Sequence, residues 1–155
     1  MKSTWKSPCV IFDLDGTLCN CEHRLHYIKQ TPKDWDNFHD ACVNDLPNPE
    51  VVELFQVLSK SQGLFGVICS GRPDSHRGRT GGWLADHGLS YSYLLMRPTG
   101  DYRPDTVVKA EMLEKIRGGL GLKPVMAVDD RPDIVKLWRA AGIPTLEILS
   151  SNWER

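Results

Sequence analysis

The apolar run Cys9-Val10-Ile11-Phe12 stops at Asp13, and the chain continues Leu14-Asp15-Gly16-Thr17-Leu18. A short unbroken apolar run suits a strand covered on both faces, as in a parallel sheet flanked by helices. Two carboxylates at i and i+2 after such a strand can both project into the crevice at the sheet's carboxyl edge, where ligands of open α/β folds bind. Gly16 lets the chain turn away. Asp-Gly also opens hairpins, but Cys19-Asn20-Cys21-Glu22-His23 follows instead of a second alternating strand.

The same arrangement recurs along the chain. Apolar runs predict strands over 8–12, 64–69, 93–96, 125–128 and 145–149, and segments of helical period predict helices over 49–59, 80–87, 106–117 and 131–141. Gly88 and Gly142 stand where helix C-caps are expected. This alternation implies an α/β fold with a mostly parallel five-stranded sheet between helical layers. Residues 19–46 break the pattern, being polar and rich in His and aromatic residues, and read as a small insertion of two short helices near the site. The 155 residues suit one domain, 1–155. With 41% hydrophobic and 25% charged residues and no apolar run near the ~18 residues of a membrane span, a soluble chain is expected. Five cysteines without a secretory segment imply free thiols in the cytoplasm.

Three further segments carry candidate chemistry. Ser70-Gly71-Arg72 follows an apolar strand, where a hydroxyl and backbone N–H groups can hold a phosphoryl oxygen. Lys109 lies near the start of a helix. Asp129-Asp130 ends another apolar run, a costly place for adjacent charges unless a hard divalent cation is bound. A net charge of −1 gives no general attraction to polyanions, so any such binding is local, with Arg72, Arg77, Arg79, Arg97 and Arg103 as the basic cluster. Cys19, Cys21, His23 and His26 match no common zinc spacing and are read as packing or substrate-contact residues. Trp35, Phe38, Trp83 and Trp138 are read as core or helix-packing residues, because base stacking requires exposure at the cleft.

An acidic pair, a strand-end Ser, a Lys and a second acidic pair, in that order, form the motif set of the haloacid dehalogenase (HAD) superfamily, which the chain resembles from about Cys9 to Ile148. Within it, Ser70-Gly71-Arg72, Trp83, Asp105 with Val107-Val108-Lys109, Asp129-Asp130-Arg131, Trp138-Arg139 and Arg24 resemble the 3′-phosphatase domain of phage polynucleotide kinase/phosphatases. The resemblance implies a HAD-like Rossmannoid three-layer fold and an Mg²⁺-dependent phosphomonoesterase, phage-encoded in its nearest likeness. Asp13 is then the nucleophile that forms an aspartyl-phosphate and Asp15 the general acid and base, with Ser70 and Lys109 on the phosphoryl oxygens. The implied metal ligands are Asp13, the Asp15 carbonyl, and Asp129 or Asp130. Gly16, Thr17, Arg24, Gly71, Arg72, Arg97 and Asp105 are implied substrate-binding residues, Asp105 by orienting an arginine. The implied substrates are 3′-phosphorylated DNA or RNA ends. Nucleotides or other small phosphomonoesters are the near alternative, and a non-catalytic binding domain the distant one. No G-x-x-x-x-G-K-[ST] loop occurs, so kinase activity is not expected, and a separately encoded kinase or ligase is the expected partner.

Overall fold

A computed structural model describes residues 6–150 of the chain. Its strands are β1 (Ser7–Phe12), the short β2 (Cys19–Asn20) and β3 (Leu46–Pro47), β4 (Phe65–Pro73), β5 (Tyr93–Arg97), β6 (Leu122–Asp129) and β7 (Thr145–Glu147). Its α-helices are α1 (His26–Lys29), α2 (Trp35–Asp40), α3 (Pro49–Ser59), α4 (Arg77–Asp86), α5 (Asp105–Glu114) and α6 (Pro132–Ala140). Five strands form one parallel sheet in the order β5-β4-β1-β6-β7. None of the described helices is long and apolar enough to cross a membrane.

Side chains alternate across a strand, and here alternation sorts each apolar run between two cores. Val10, Phe12, Ile68 and Val128 face one cluster, closed by Val52 and Phe55 of α3 and by Trp83 and Leu84 of α4. Cys9, Ile11, Val67, Cys69 and Ala127 face the other, closed by Val108 and Met112 of α5 and by Ile134 and Trp138 of α6. The result is the expected three layers. Burying both faces of β1, β4 and β6 is why these strands read as unbroken apolar runs, each side chain contributing about 1.5–3 kcal/mol.

The register sets the site. Phe12 pairs with Ile68 and with Val128, and Asp13 N donates to Val128 O at 3.0 Å. Whatever follows these residues therefore emerges at one edge. Strand β4 does not stop at Cys69 as read from sequence, but runs on to Pro73 past a register irregularity between Ser70 and Pro73. Ser70-Gly71-Arg72 thus lies in a bulged strand rather than in a turn. Helix α5 ends at Glu114 and passes into a π-helical turn, Lys115–Gly119. Gly88 and Gly142 end their helices with φ of 70° and 82°, as C-caps require.

Residues 19–46 contain the two short helices expected, α1 and α2, with 3₁₀ turns at Glu22–Arg24 and Ala41–Asn44. The sequence reading did not foresee that β2 and β3 pair antiparallel, clasping the two ends of the insertion together. Cys21, Leu25 and Phe38 form a small core inside it.

Candidate active site

Asp13 leaves β1 into a tight loop. Gly16, at φ 84°, allows its N–H to reach Cys19 O at 2.8 Å, and Thr17 is thereby turned back toward the sheet edge. Thr17 Oγ1 lies 3.1 Å from Asp13 Oδ2 and 3.2 Å from Asp130 Oδ1. The other oxygen, Asp13 Oδ1, is 2.6 Å from Nζ of the buried Lys109. That ammonium also reaches Asp129 Oδ2 at 3.1 Å. Asp129 is held further by Trp138 Nε1 at 3.3 Å and by the backbone N–H of Arg131 at 3.2 Å.

Three buried carboxylates therefore stand together: the Lys109 ammonium serves Asp13 and Asp129, and the Thr17 hydroxyl lies between Asp13 and Asp130, donating to one acceptor at a time. Burial raises Asp13 well above the usual carboxylate range, the Asp129 charge adds to this, and Lys109 opposes both. For Lys109, burial alone would lower the ammonium, but Asp129 and Asp13 outweigh it and hold the charged form. Asp13, Asp129 and Asp130 each offer an oxygen within 4.8 Å of the others. An all-oxygen donor set with excess negative charge fits a hard divalent cation such as Mg²⁺.

The Asp15 carboxylate belongs to a second group. Arg24 Nη2 and Arg72 Nη2 stand 2.5 and 2.6 Å from its Oδ1, and Arg72 Nε is 3.1 Å from its Oδ2. Burial would raise this carboxyl, but the Arg72 and Arg24 charges outweigh it and hold it well below the usual range. Both guanidiniums also reach Asp45: Arg24 Nε at 2.8 Å and Nη2 at 2.7 Å, Arg72 Nη2 at 3.1 Å. Arg72 is further tied to Thr80 Oγ1 at 3.1 Å, and the Arg24 guanidinium sits 4.4 Å over the Phe38 ring. Two cations and two anions balance in a cluster where Arg24, Arg72 and Asp45 are buried and only Asp15 keeps an open side, with 23% of its side chain exposed; paired charge of this kind is tolerated in an interior.

Asp45 is the functional residue that sequence reading missed. It is buried at the far end of the insertion, and it also meets His23 Nε2 at 2.7 Å. Its arginine partners lie in two separate segments, so no spacing rule points to it. The available hint was the charge count: two arginines on one carboxylate call for a second.

A third group braces the edge beyond β4. Asp105 accepts from Arg97 Nη2 and from Arg131 Nη1, so it orients two arginines where one was expected. Arg97 also donates to Gly71 O at 2.9 Å, Asp101 O at 3.1 Å and Arg103 O at 2.6 Å. Its donors tie the 98–104 loop to β4 rather than standing open to a ligand. Gly71 leaves room for Asp105, since a Cβ on it would come 3.0 Å from Asp105 Oδ1 and the carboxylate would have to give by a few tenths of an ångström. Ser70 Oγ is buried and accepts the Arg72 N–H at 3.1 Å.

The zinc-like residues do not assemble. Cys19 lies with Asp15 and Asp45, where the two guanidiniums already supply positive charge, and His23 turns to Asp45. Phe38, Trp83 and Trp138 are buried as read, but Trp35 is 45% exposed, which corrects its placement among the core residues. It sits at the start of α2 with its ring edge against Phe38.

The family description for the polynucleotide kinase PNKP phosphatase domain matches residues 7–153. A relative from Autographa californica nuclear polyhedrosis virus, described as a bifunctional polynucleotide kinase/RNA ligase, is 30% identical over 139 residues, covering 88% of this chain and 18% of the relative. In the solved Pnkp1/Rnl/Hen1 complex, one chain matches with a TM-score of 0.78 at 32% identity, over 94% of this chain and 47% of that one. L-2-haloacid dehalogenase from Xanthobacter autotrophicus shares the fold, with a TM-score of 0.62 at 15% identity over 92% of this chain and 78% of that one. The chain thus spans about a fifth of the curated relative and about half of the first solved chain.

Proposed function

Because the chain belongs to the family of the polynucleotide kinase PNKP phosphatase domain, a HAD-type phosphatase, we propose that it removes 3′-phosphates from DNA or RNA ends. One arrangement carries this reading: Asp13 is braced on one oxygen by Lys109 and on the other by Thr17, beside Asp129 and Asp130.

A carboxylate oxygen of Asp13 attacks phosphorus, forming the acyl-phosphate O–P bond of an aspartyl-phosphate as the bond from phosphorus to the 3′-oxygen breaks. The leaving oxygen takes a proton from Asp15. Asp15 then takes one from the water that attacks phosphorus, which frees Asp13 and releases inorganic phosphate. Asp13, the Asp15 carbonyl, and Asp129 or Asp130 would hold Mg²⁺, which would supply positive charge against the phosphate and the carboxylates. Lys109 and Ser70 hold equatorial phosphoryl oxygens.

In the free site Arg24 and Arg72 keep Asp15 ionised, whereas a general acid must carry a proton. An arriving phosphate dianion competes with Asp15 for those guanidiniums, and Asp45 keeps them in place meanwhile. Asp15 is then released to take up the proton it donates. Five free, buried cysteines support a reducing, intracellular setting. A relative whose description pairs a polynucleotide kinase with an RNA ligase supports a kinase or ligase as the activity that acts on the trimmed end.

The test is phosphate release with Mg²⁺ from a 3′-phosphorylated oligonucleotide, its 5′-phosphorylated twin and a 3′-nucleoside monophosphate, with Asp13→Asn as blank. The expected result is preference for the 3′-phosphorylated oligomer and no release by the variant. Equal or better turnover of the mononucleotide would move the assignment to a nucleotidase.

A further inference from the structure

A groove of about 420 Å³ opens between the insertion and the 98–104 loop, a size within the ~300–1,000 Å³ of clefts that hold small ligands. Its lining includes Trp35 and Pro32 on the insertion side and Tyr102 on the loop side. Trp35 is 45% exposed and Tyr102 91% exposed. Two aromatic side chains left facing a groove in this way mark a binding surface rather than a core.

Both walls are anchored in the site already described. On one side Trp35 packs its ring edge on Phe38 at 5.8 Å, Phe38 carries the Arg24 guanidinium, and Arg24 holds Asp15. On the other, the backbone on either side of Tyr102 is gripped by Arg97, through Asp101 O and Arg103 O, and Arg97 reaches Asp105 and Gly71. The groove therefore has a fixed position relative to the phosphate-binding arginines.

We propose that this groove is a nucleobase subsite, in which a base near the 3′ end of a single-stranded substrate stacks on Trp35 and Tyr102. The proposal rests on the phosphatase acting on polynucleotides. The groove's chemistry selects a base over a phosphodiester: besides the aromatic rings and Pro32 it presents Asp34 and Asp36, which repel a phosphate and leave an uncharged ring undisturbed. Asp34 is in addition occupied as the N-cap of α2, accepting from Asn37 N at 3.1 Å. Lys33 Nζ lies 5.5 Å from the Trp35 ring centre. An exposed cation–π contact is weaker than the stacking of a base on an aromatic ring. A base thus displaces the ammonium, which is left to meet the flanking phosphate.

The test compares kcat/KM, with Mg²⁺, on a 3′-phosphorylated single-stranded oligonucleotide, a 3′-nucleoside monophosphate and a chromogenic phosphate ester, for wild type, Trp35→Ala, Tyr102→Ala and Tyr102→Phe. Each alanine variant is expected to lower the oligonucleotide-to-ester ratio about tenfold, chiefly through KM, and Tyr102→Phe to retain it. Oligonucleotides made abasic in turn at the terminal and next nucleoside should cost wild type a similar factor at one position, and the Tyr102→Ala variant much less there. Tyr102 packs on little, so its variant tests the idea even where Trp35→Ala unsettles α2. A wild type that prefers the oligomer, with alanine variants that keep the same ratio or lose all three activities alike, overturns the subsite and leaves the polynucleotide reading standing. A wild type with no preference for the oligomer over the mononucleotide overturns that reading, and the subsite with it.

Discussion

Asp45 shows how a side chain remote from the nucleophile can govern the site. It neutralises two buried guanidiniums that also hold Asp15, so it sets where those arginines stand. Replacing it by Asn keeps the shape and removes the charge. Breaking a buried ion pair by removing one partner costs about 3–5 kcal/mol. Asp45→Asn is therefore expected to lower the urea midpoint markedly and to reduce kcat/KM by about a hundredfold or more. Urea titrations and kinetics on one preparation check this, and an unchanged midpoint would show that the arginines do not need it. Asp13, Asp15, Lys109 and the Asp129-Asp130 pair were legible because each follows an apolar run or sits in a motif with fixed spacing. Asp45 was not, because its role is set by contacts across 21 and 27 positions.

Among the elements, β1, β5 and α3 were readable almost to the residue, whereas β6 begins at Leu122, ahead of the apolar run 125–128 that marked it, because its first residues alternate between buried and exposed. The β2–β3 ribbon, two residues on each side, is too short to carry a period. The extension of β4 was hidden by its bulge, where a Ser-Gly pair reads as a turn. Helix α2 depends on tertiary contact more than on its own six residues, a length below that at which isolated helices persist. His39 on α2 stacks on Trp35 and lies against Phe38 and against His76 of the facing turn. Asp15 favours a proton on it, while His76, Arg24 and Arg72 disfavour one. Burial is the largest influence and lowers it to about 4, and its Nδ1 is buried without a partner. The fold thus favours neutral His39, and between pH 6.5 and about 4 the native state binds fewer protons than the unfolded chain at this position. Its contribution to stability is present above the unfolded value and is lost as pH falls through that window. Relative to His39→Phe, wild type should lose urea resistance across it, and a pH-independent gap between the two midpoints would refute the assignment.

At the scale of the molecule, the sheet gathers three buried carboxylates, Asp13, Asp129 and Asp130, at one edge. A dication bound there would offset that negative charge and so would link binding to folding: at a hundredfold excess over its dissociation constant a ligand stabilises by about 2.7 kcal/mol. For a chain of this length that corresponds to a rise in Tm of roughly 5–10 °C. Thermal scans with Mg²⁺ and with EDTA should differ by this order in wild type and far less in Asp130→Asn. Equal scans for wild type would argue against a cation at this edge.

The ribbon that clasps the insertion carries a further consequence. Arg24 comes from the leg that leaves β2 and Asp45 from the leg that returns to β3, so the Arg24–Asp45 ion pair closes only when both legs are home. A single peptide bond severed in the stretch 30–34 would leave nucleophile, sheet and helices intact and still loosen the pair. Trimming by a protease at that stretch would therefore silence the enzyme before it unfolded it, with loss of activity running ahead of loss of the far-ultraviolet circular dichroism signal.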